Sequence, residues 1–188
     1  FWRFCDDHLE LVKGRAYRDD AAALSARVAL HAALSTLLRL FAPFLPYATE
    51  EVWSWCRTGS GPEAEPLAGF EAASVHRAPW PVADELRALA GDAPGADGVP
   101  STLVVAAEVL GRIRKAKSDA KVSMRADVAT VTVTDTPDRL AALALAADDV
   151  RDAGKVAELV PVELYAGADP GVDVVLTDVP ADGSGSPA

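Results

Sequence analysis

The side chains best suited to bond-making chemistry are few and scattered. The histidines are His8, His31 and His76, and the cysteines are Cys5 and Cys56. None has a partner at metal-ligand spacing, so neither a zinc site nor a disulfide framework is expected. The two thiols read as reduced and largely buried. His31 lies within a helical stretch and reads as a helix-surface or core residue. Asp6 and Asp7 are adjacent, but neighbours on a helix point about 100° apart, so the pair reads as a solvated face. "GSG" at Gly59–Gly61, and again near the end, lacks the strand before and the helix after that a phosphate loop requires. No nucleophile, general base or phosphate cradle is visible, so this stretch of chain is expected to carry no active site, metal or cofactor.

Charge is more informative. The net charge is −10, yet Gly111–Arg125 holds six cations (Arg112, Arg114, Lys115, Lys117, Lys121, Arg125) against Asp119 alone. From Asp135 onward eleven acids face Arg139, Arg151 and Lys155. For a polyanionic partner the local sign matters more than the sum. Two candidate contact sets follow. One is Lys13, Arg15 and Arg18 after the first helical stretch. The other is Arg112, Arg114, Lys115 and Lys117. Arg112 with Lys115 shares one helix face and Arg114 with Lys117 another, so only one pair can look at a given nucleic-acid strand.

The elements that must position these groups are mainly helical. Phe1 to about Tyr17 has helical patterning and ends near Gly14. Asp19 or Asp20 caps a second helix whose stripe is Leu30, Leu34, Leu37 and Phe41. Pro43 and Pro46 then force a sharp corner, because a proline cannot continue one helix but suits the first turn of the next. A third helix follows, with Glu50 and Glu51 in its first turn and Trp53 and Trp55 along it. Trp53, Trp55 and Trp80 read as core.

"RTGSGPEAEP" is a loop by composition, and "SVHRAPWP" is an extended segment lying along the bundle. Residues 91–100 read as a linker. Thr102–Lys117 is an amphipathic helix with stripe Leu103, Ala106, Leu110 and Ile113. "ADVATVTVTD" alternates as a strand, Pro137 to about Ala147 is a helix, and "PVELYA" and "VDVVLTD" are strand candidates. Residues 180–188 read as a disordered tail. The expected architecture is a mainly α chain: a helical bundle over 1–90, a linker over 91–100, and a small α/β unit over 101–179.

The chain starts at Phe1 and has one methionine, Met124, and reads as a piece of something longer. No signal peptide is expected, since no basic start leads into an apolar run with a small-residue cleavage site. Arg27, His31 and Arg39 interrupt the longest apolar stretches, so no bilayer span is expected.

"LLRLFAPFLPYATEEVW" (Leu37–Trp53) resembles a segment of the helical anticodon-binding domain in class I aminoacyl-tRNA synthetases for valine, isoleucine, leucine and methionine. There a helix ends in a proline-aromatic corner and the next begins "TEE.W". "FCDDHLELVKGRAY" (Phe4–Tyr17) is similar to the helix before it, and "SVHRAPWP" (Ser74–Pro81) to the segment closing the bundle. "LVKGRAY" and the basic helix leading into "KSDAKVSMRADVATVTV" point to the valyl branch, with the isoleucyl branch as the nearest rival. A freestanding helical protein-interaction domain is the alternative from another class.

The resemblance implies a cytoplasmic enzyme of translation that loads valine on tRNA(Val) using ATP and Mg. It implies catalytic and editing domains elsewhere in the same chain, and a monomer. It gives this region the task of holding the anticodon stem-loop, with some of the helices that read the anticodon lying outside these residues. The family's C-terminal coiled-coil arm has no matching heptads here.

Overall fold

The computed structural model describes residues 2–58, 68–90, 101–165 and 167–177. In chain order a π-helical turn, Phe4–Leu9, leads into α1 (Glu10–Ala16), α2 (Ala21–Phe41) and α3 (Pro46–Thr58). A 3-10 turn at Val75–Arg77 precedes α4 (Ala83–Ala90) and α5 (Thr102–Asp119). Then come β1 (Val128–Asp135), α6 (Pro137–Ala144), α7 (Ala147–Gly154), β2 (Val156–Glu163) and β3 (Gly171–Leu176). The chain divides into two compact units. A bundle unit comprises Asp19–Ala93, and an α/β unit combines Phe1–Arg18 with Pro94–Ala188.

That division differs from the sequence reading, which places the first helix in the bundle. The structure packs α1 against α7 and the π-helical turn against α5. Leu11 and Val12 are the buried residues of α1. They supply an apolar side, and the α/β unit is what covers it. The expected linker over 91–100 and tail over 180–188 lie outside the described residues, as does most of the "RTGSGPEAEP" loop.

In the bundle unit, α2 starts where Asp20, in extended backbone, accepts a hydrogen bond from the Ala23 N–H at 2.7 Å, an N-cap. Its buried residues are Ala23, Ala26, Ser35 and Leu38, not the expected leucine stripe, and Phe41 is exposed. A small-residue contact decides the face. Ser35 Oγ donates to the Gly69 carbonyl at 3.0 Å. Gly69 sits at φ +87°, and a Cβ there would lie 3.3 Å from Ser35 Oγ. By length and hydropathy α2 could cross a bilayer. The expectation that Arg27, His31 and Arg39 interrupt every such stretch therefore does not hold for α2; within the bundle unit Arg39 pairs with Glu85 of α4 at 2.7 Å.

Pro46 opens α3, where its missing N–H costs nothing. The core gathers Leu38, Ala42, Trp53, Phe70 and Val75. Trp53 Nε1 donates to the Ala72 carbonyl at 2.9 Å, and the Trp53 and Phe70 rings are 4.6 Å apart. Trp55 and Trp80 are not core: both are exposed. Glu50 falls beyond the first turn of α3. Its carboxylate accepts from Ser74 Oγ at 2.8 Å and the Val75 N–H at 2.9 Å, fixing the segment that closes the bundle. That segment holds a 3-10 turn rather than running extended throughout.

The α/β unit is built on a sheet of order β2-β1-β3. β1 runs parallel to β2, with Val131 opposite Leu159, and antiparallel to β3, with Val131 opposite Val174. A parallel pair needs a crossover, which α6 and α7 supply. The sequence reading expects one helix from Pro137 to about Ala147; the structure ends α6 at Ala144 and adds α7, which that reading did not foresee. α5 buries Val105, Ala106, Val109, Leu110 and Ile113, whereas Leu103 of the expected stripe is exposed. Gly154 ends α7 under α5. A Cβ there would lie 2.9 Å from Val156 Cγ2 and 3.0 Å from Ile113 Cδ1, so only glycine fits.

Candidate nucleic-acid interface

Because α5 turns Leu110 and Ile113 inward, Arg112 and Lys115 are carried to its outer side, and both are exposed. Lys115 pairs with Asp119 at 3.0 Å, one turn on. An exposed pair of this kind contributes little and yields readily to a phosphate. Arg112 and Lys115 line a shallow cleft of about 400 Å³ with Glu108, Gly111 and Arg139. Arg139 is held there by Glu108 and by Asp135, whose carboxylate accepts from Arg139 Nε at 2.7 Å.

The other pair on α5 faces elsewhere. Lys117 is 1% exposed. Its Nζ donates to the carbonyls of Met124 at 3.1 Å and Gly154 at 2.8 Å. Burial pushes its pKa below the ordinary lysine value. Lys117 is thus a bolt between α5, the loop after it and the end of α7, and it has no surface to offer a phosphate. Arg114 donates to the Asp6 carbonyl at 2.9 Å and lies 3.8 Å from Glu10, joining α5 to the first helical stretch.

The first candidate set divides in the same way. Arg15 pairs with Asp149 at 3.2 Å, and Arg18 with Asp152. Both couple the first helical stretch to α7. Burial pushes the Asp149 carboxyl up, and Arg15 and Arg18 oppose that shift. Nearby His8 is pushed down by burial and by the Arg15 charge. Lys13 remains outward, paired with Glu10 at 2.6 Å. It borders a second cleft, of about 690 Å³, with Tyr17, Met124, Arg125 and Lys155. Tyr17 is 89% exposed.

Both candidate sets therefore fall in the α/β unit, and each leaves part of its charge outside. Arg125 and Lys155 were not among the predicted contacts. Lys155 sits in left-handed backbone after α7, thirty residues from Arg125, and no local spacing signals that they share a cleft. Exposed cations with a solvent-facing tyrosine can hold phosphates and stack a base. Among the described residues no group of three or more His, Cys, Asp or Glu side chains could hold a metal.

A family model described as the anticodon-binding domain of tRNA ligase matches residues 1–133. The chain belongs to that family. The anticodon-binding match takes in the whole bundle unit and, in the α/β unit, α1, α5 and most of β1. Among curated proteins, a valine–tRNA ligase of Salinispora arenicola is 48% identical over 174 residues, covering 85% of this chain and 18% of that protein. One from Thermobifida fusca is 48% identical, covering 85% of the chain and 16% of the relative. One from Leifsonia xyli is 42% identical over 184 residues, covering 97% and 19%. The chain thus spans under a fifth of the length of these relatives.

Proposed function

We propose that this chain is the tRNA-binding region of a valine–tRNA ligase and meets tRNA(Val) through the outer side of α5. The observation that carries the reading is the 48% identity to valine–tRNA ligases across 85% of the chain. In this reading the ligase joins valine to tRNA(Val) with ATP and Mg in the cytoplasm. Catalytic and editing domains elsewhere in the polypeptide do the chemistry, and the ligase works as a monomer. The task here is positioning: a rigid bundle holds the anticodon stem-loop at a set distance from a remote active site. Arg112 and Lys115 bind phosphates, with Lys13 as a further contact. Arg114, Lys117, Arg15 and Arg18 keep the α/β unit together.

Each neutralised phosphate releases counterions, so affinity falls with salt at a log–log slope of about 0.7 to 0.9 per contact. In the whole ligase, Arg112→Ala with Lys115→Ala is expected to weaken tRNA binding across sequences. The same pair of changes should flatten the salt slope by about one to two units. Its melting should stay that of the parent. Filter binding across a salt series reads the slope. An unchanged affinity and slope would leave α5 as a solvated face and overturn the assignment.

A further inference from the structure

Tyr17 caps the C-terminal end of α1 and leaves its ring in solvent, 89% exposed. Arg15 and Arg18, on either side of it in sequence, are both tied to α7, by Asp149 at 3.2 Å and by Asp152. The backbone that carries the ring is therefore anchored. Lys155, where α7 ends, lines the same cleft. Its N–H donates to the Arg151 carbonyl, and its carbonyl accepts from the Val128 N–H at 2.8 Å. Those two bonds hold it at φ +55°, a conformation that is costly for a residue with a Cβ. Arg125, a third member, sits on a turn where Ser123 Oγ accepts from its N–H at 3.2 Å. Both cations are exposed, and among the described residues neither has a salt-bridge partner.

The charges around this cleft favour an anion. Glu10 and Asp152 also line it, but both are engaged: Glu10 by Lys13 at 2.6 Å and Arg114 at 3.8 Å, Asp152 by Arg18. Lys121 is exposed four residues before Arg125, and Asp127, exposed two residues after it, does not line the cleft. Two cations without partners and a solvent-facing ring call for a ligand with both negative charge and a flat face. An acidic peptide would satisfy the cations and leave the ring unused. Duplex RNA brings phosphates but keeps the faces of its bases stacked on one another. An unpaired nucleotide in a single strand uses ring and cations together. The cleft beside α5 makes the contrast. It has Arg112 and Lys115 but no aromatic among its lining residues, so it suits phosphates alone.

We infer that the Tyr17–Arg125–Lys155 cleft grips one unpaired nucleotide of the tRNA. Its base stacks on Tyr17, and Arg125 and Lys155 hold its flanking phosphates. The inference rests on the tRNA-binding reading above, and adds to the phosphate contacts of α5 a site that tells a single strand from a duplex.

The test uses the whole ligase and tRNA(Val). Tyr17→Ala should weaken binding at least about fivefold and leave the salt slope unchanged, because stacking releases no counterions. Tyr17→Phe should recover that loss, since the stack needs the ring and not the hydroxyl. Arg125→Gln with Lys155→Gln should flatten the slope by about one to two units, in addition to the effect of Arg112→Ala with Lys115→Ala. Photoreactive p-benzoylphenylalanine in place of Tyr17 should cross-link to one unpaired nucleotide. A cross-link to a paired nucleotide or to protein overturns the inference. So does a yield no higher than that from the same probe at exposed Leu145, or a phenylalanine variant as weak as the alanine one. If the Tyr17 variants bind as the parent does while Arg112→Ala with Lys115→Ala still flattens the slope, this site is lost and the function above stands. The reverse result defeats only the α5 assignment.

Discussion

The bundle unit and the α/β unit spend their side chains in opposite ways. In the bundle, aromatics are plentiful around the corner and most of them face outward, while two of the cations nearby are tied down, Arg39 by Glu85 and Arg57 by the Ala73 carbonyl. In the α/β unit the core is almost wholly valine, leucine, isoleucine and alanine. There, half of the six predicted contact cations on α1 and α5, and Arg18 beyond them, hold the fold together. Residue type alone is therefore a poor guide to role. An exposed tryptophan and a buried lysine are each what the local packing makes of them.

The contrast can be broken, starting with the largest effect. Trp53→Ala removes the ring at the centre of the bundle core and is expected to cost about 3–5 kcal/mol. Amide exchange should show α2 and α3 opening while β1 stays protected. Equal loss in both units would mean that they unfold as one.

Lys117→Met leaves the carbonyls of Met124 and Gly154 unpaired, at a cost of about 1–3 kcal/mol in the α/β unit. Its pH dependence is the sharper reading. The folded pKa is lowered by burial, so the folded state binds fewer protons than the unfolded one below the ordinary value of 10.5. The parent gains stability as pH rises toward that value, and the methionine variant lacks the gain. Denaturant midpoints at a series of pH values should therefore diverge upward.

Pro43→Ala and Pro46→Ala should each cost about 0.4–1 kcal/mol, through freedom gained by the unfolded chain. With Phe44 and Tyr47 facing outward, no packing loss adds to that, and a thermal melt reads the difference. His8→Gln should have the smallest effect, confined to acid. The lowered His8 pKa makes the parent lose stability as pH falls below 6.5, and the variant should be flat there.

What could be read from the residues follows from how sharply each pattern contrasts. The α5 stripe was legible because apolar and charged positions alternate at helical period, so Ala106, Leu110 and Ile113 were placed inward. The same spacing correctly split the four basic residues into two faces, but it could not say which face a neighbouring element would cover. That depended on Gly154, 37 residues further along the chain, and on the turn at Met124. In α2, apolar residues lie on every side, so periodicity had little to choose from, and the Ser35–Gly69 contact set the register. The corner prolines were plain. The direction of the rings around them was not, because a turn has no period. Family membership was legible in "PFLPYATEEVW" as a resemblance. The role of Lys155 was not legible, since its left-handed backbone follows a glycine that is there for lack of space.

The first helical stretch has one more consequence, for the order of events during synthesis. Arg18 and its partner Asp152 are 134 residues apart in the chain. At ribosomal rates of about 5–20 residues per second, roughly ten seconds separate their emergence. Over that interval Leu11 and Val12 have no α7 to cover them, while the whole of Asp19–Ala93 is already out and contains its own core. The middle of the chain can settle first, and the two flanks join only after it. A contact that spans so much sequence is entropically costly to close and slow to form. Chaperone access to the nascent Phe4–Ala16 stretch is therefore written into the connectivity of the α/β unit.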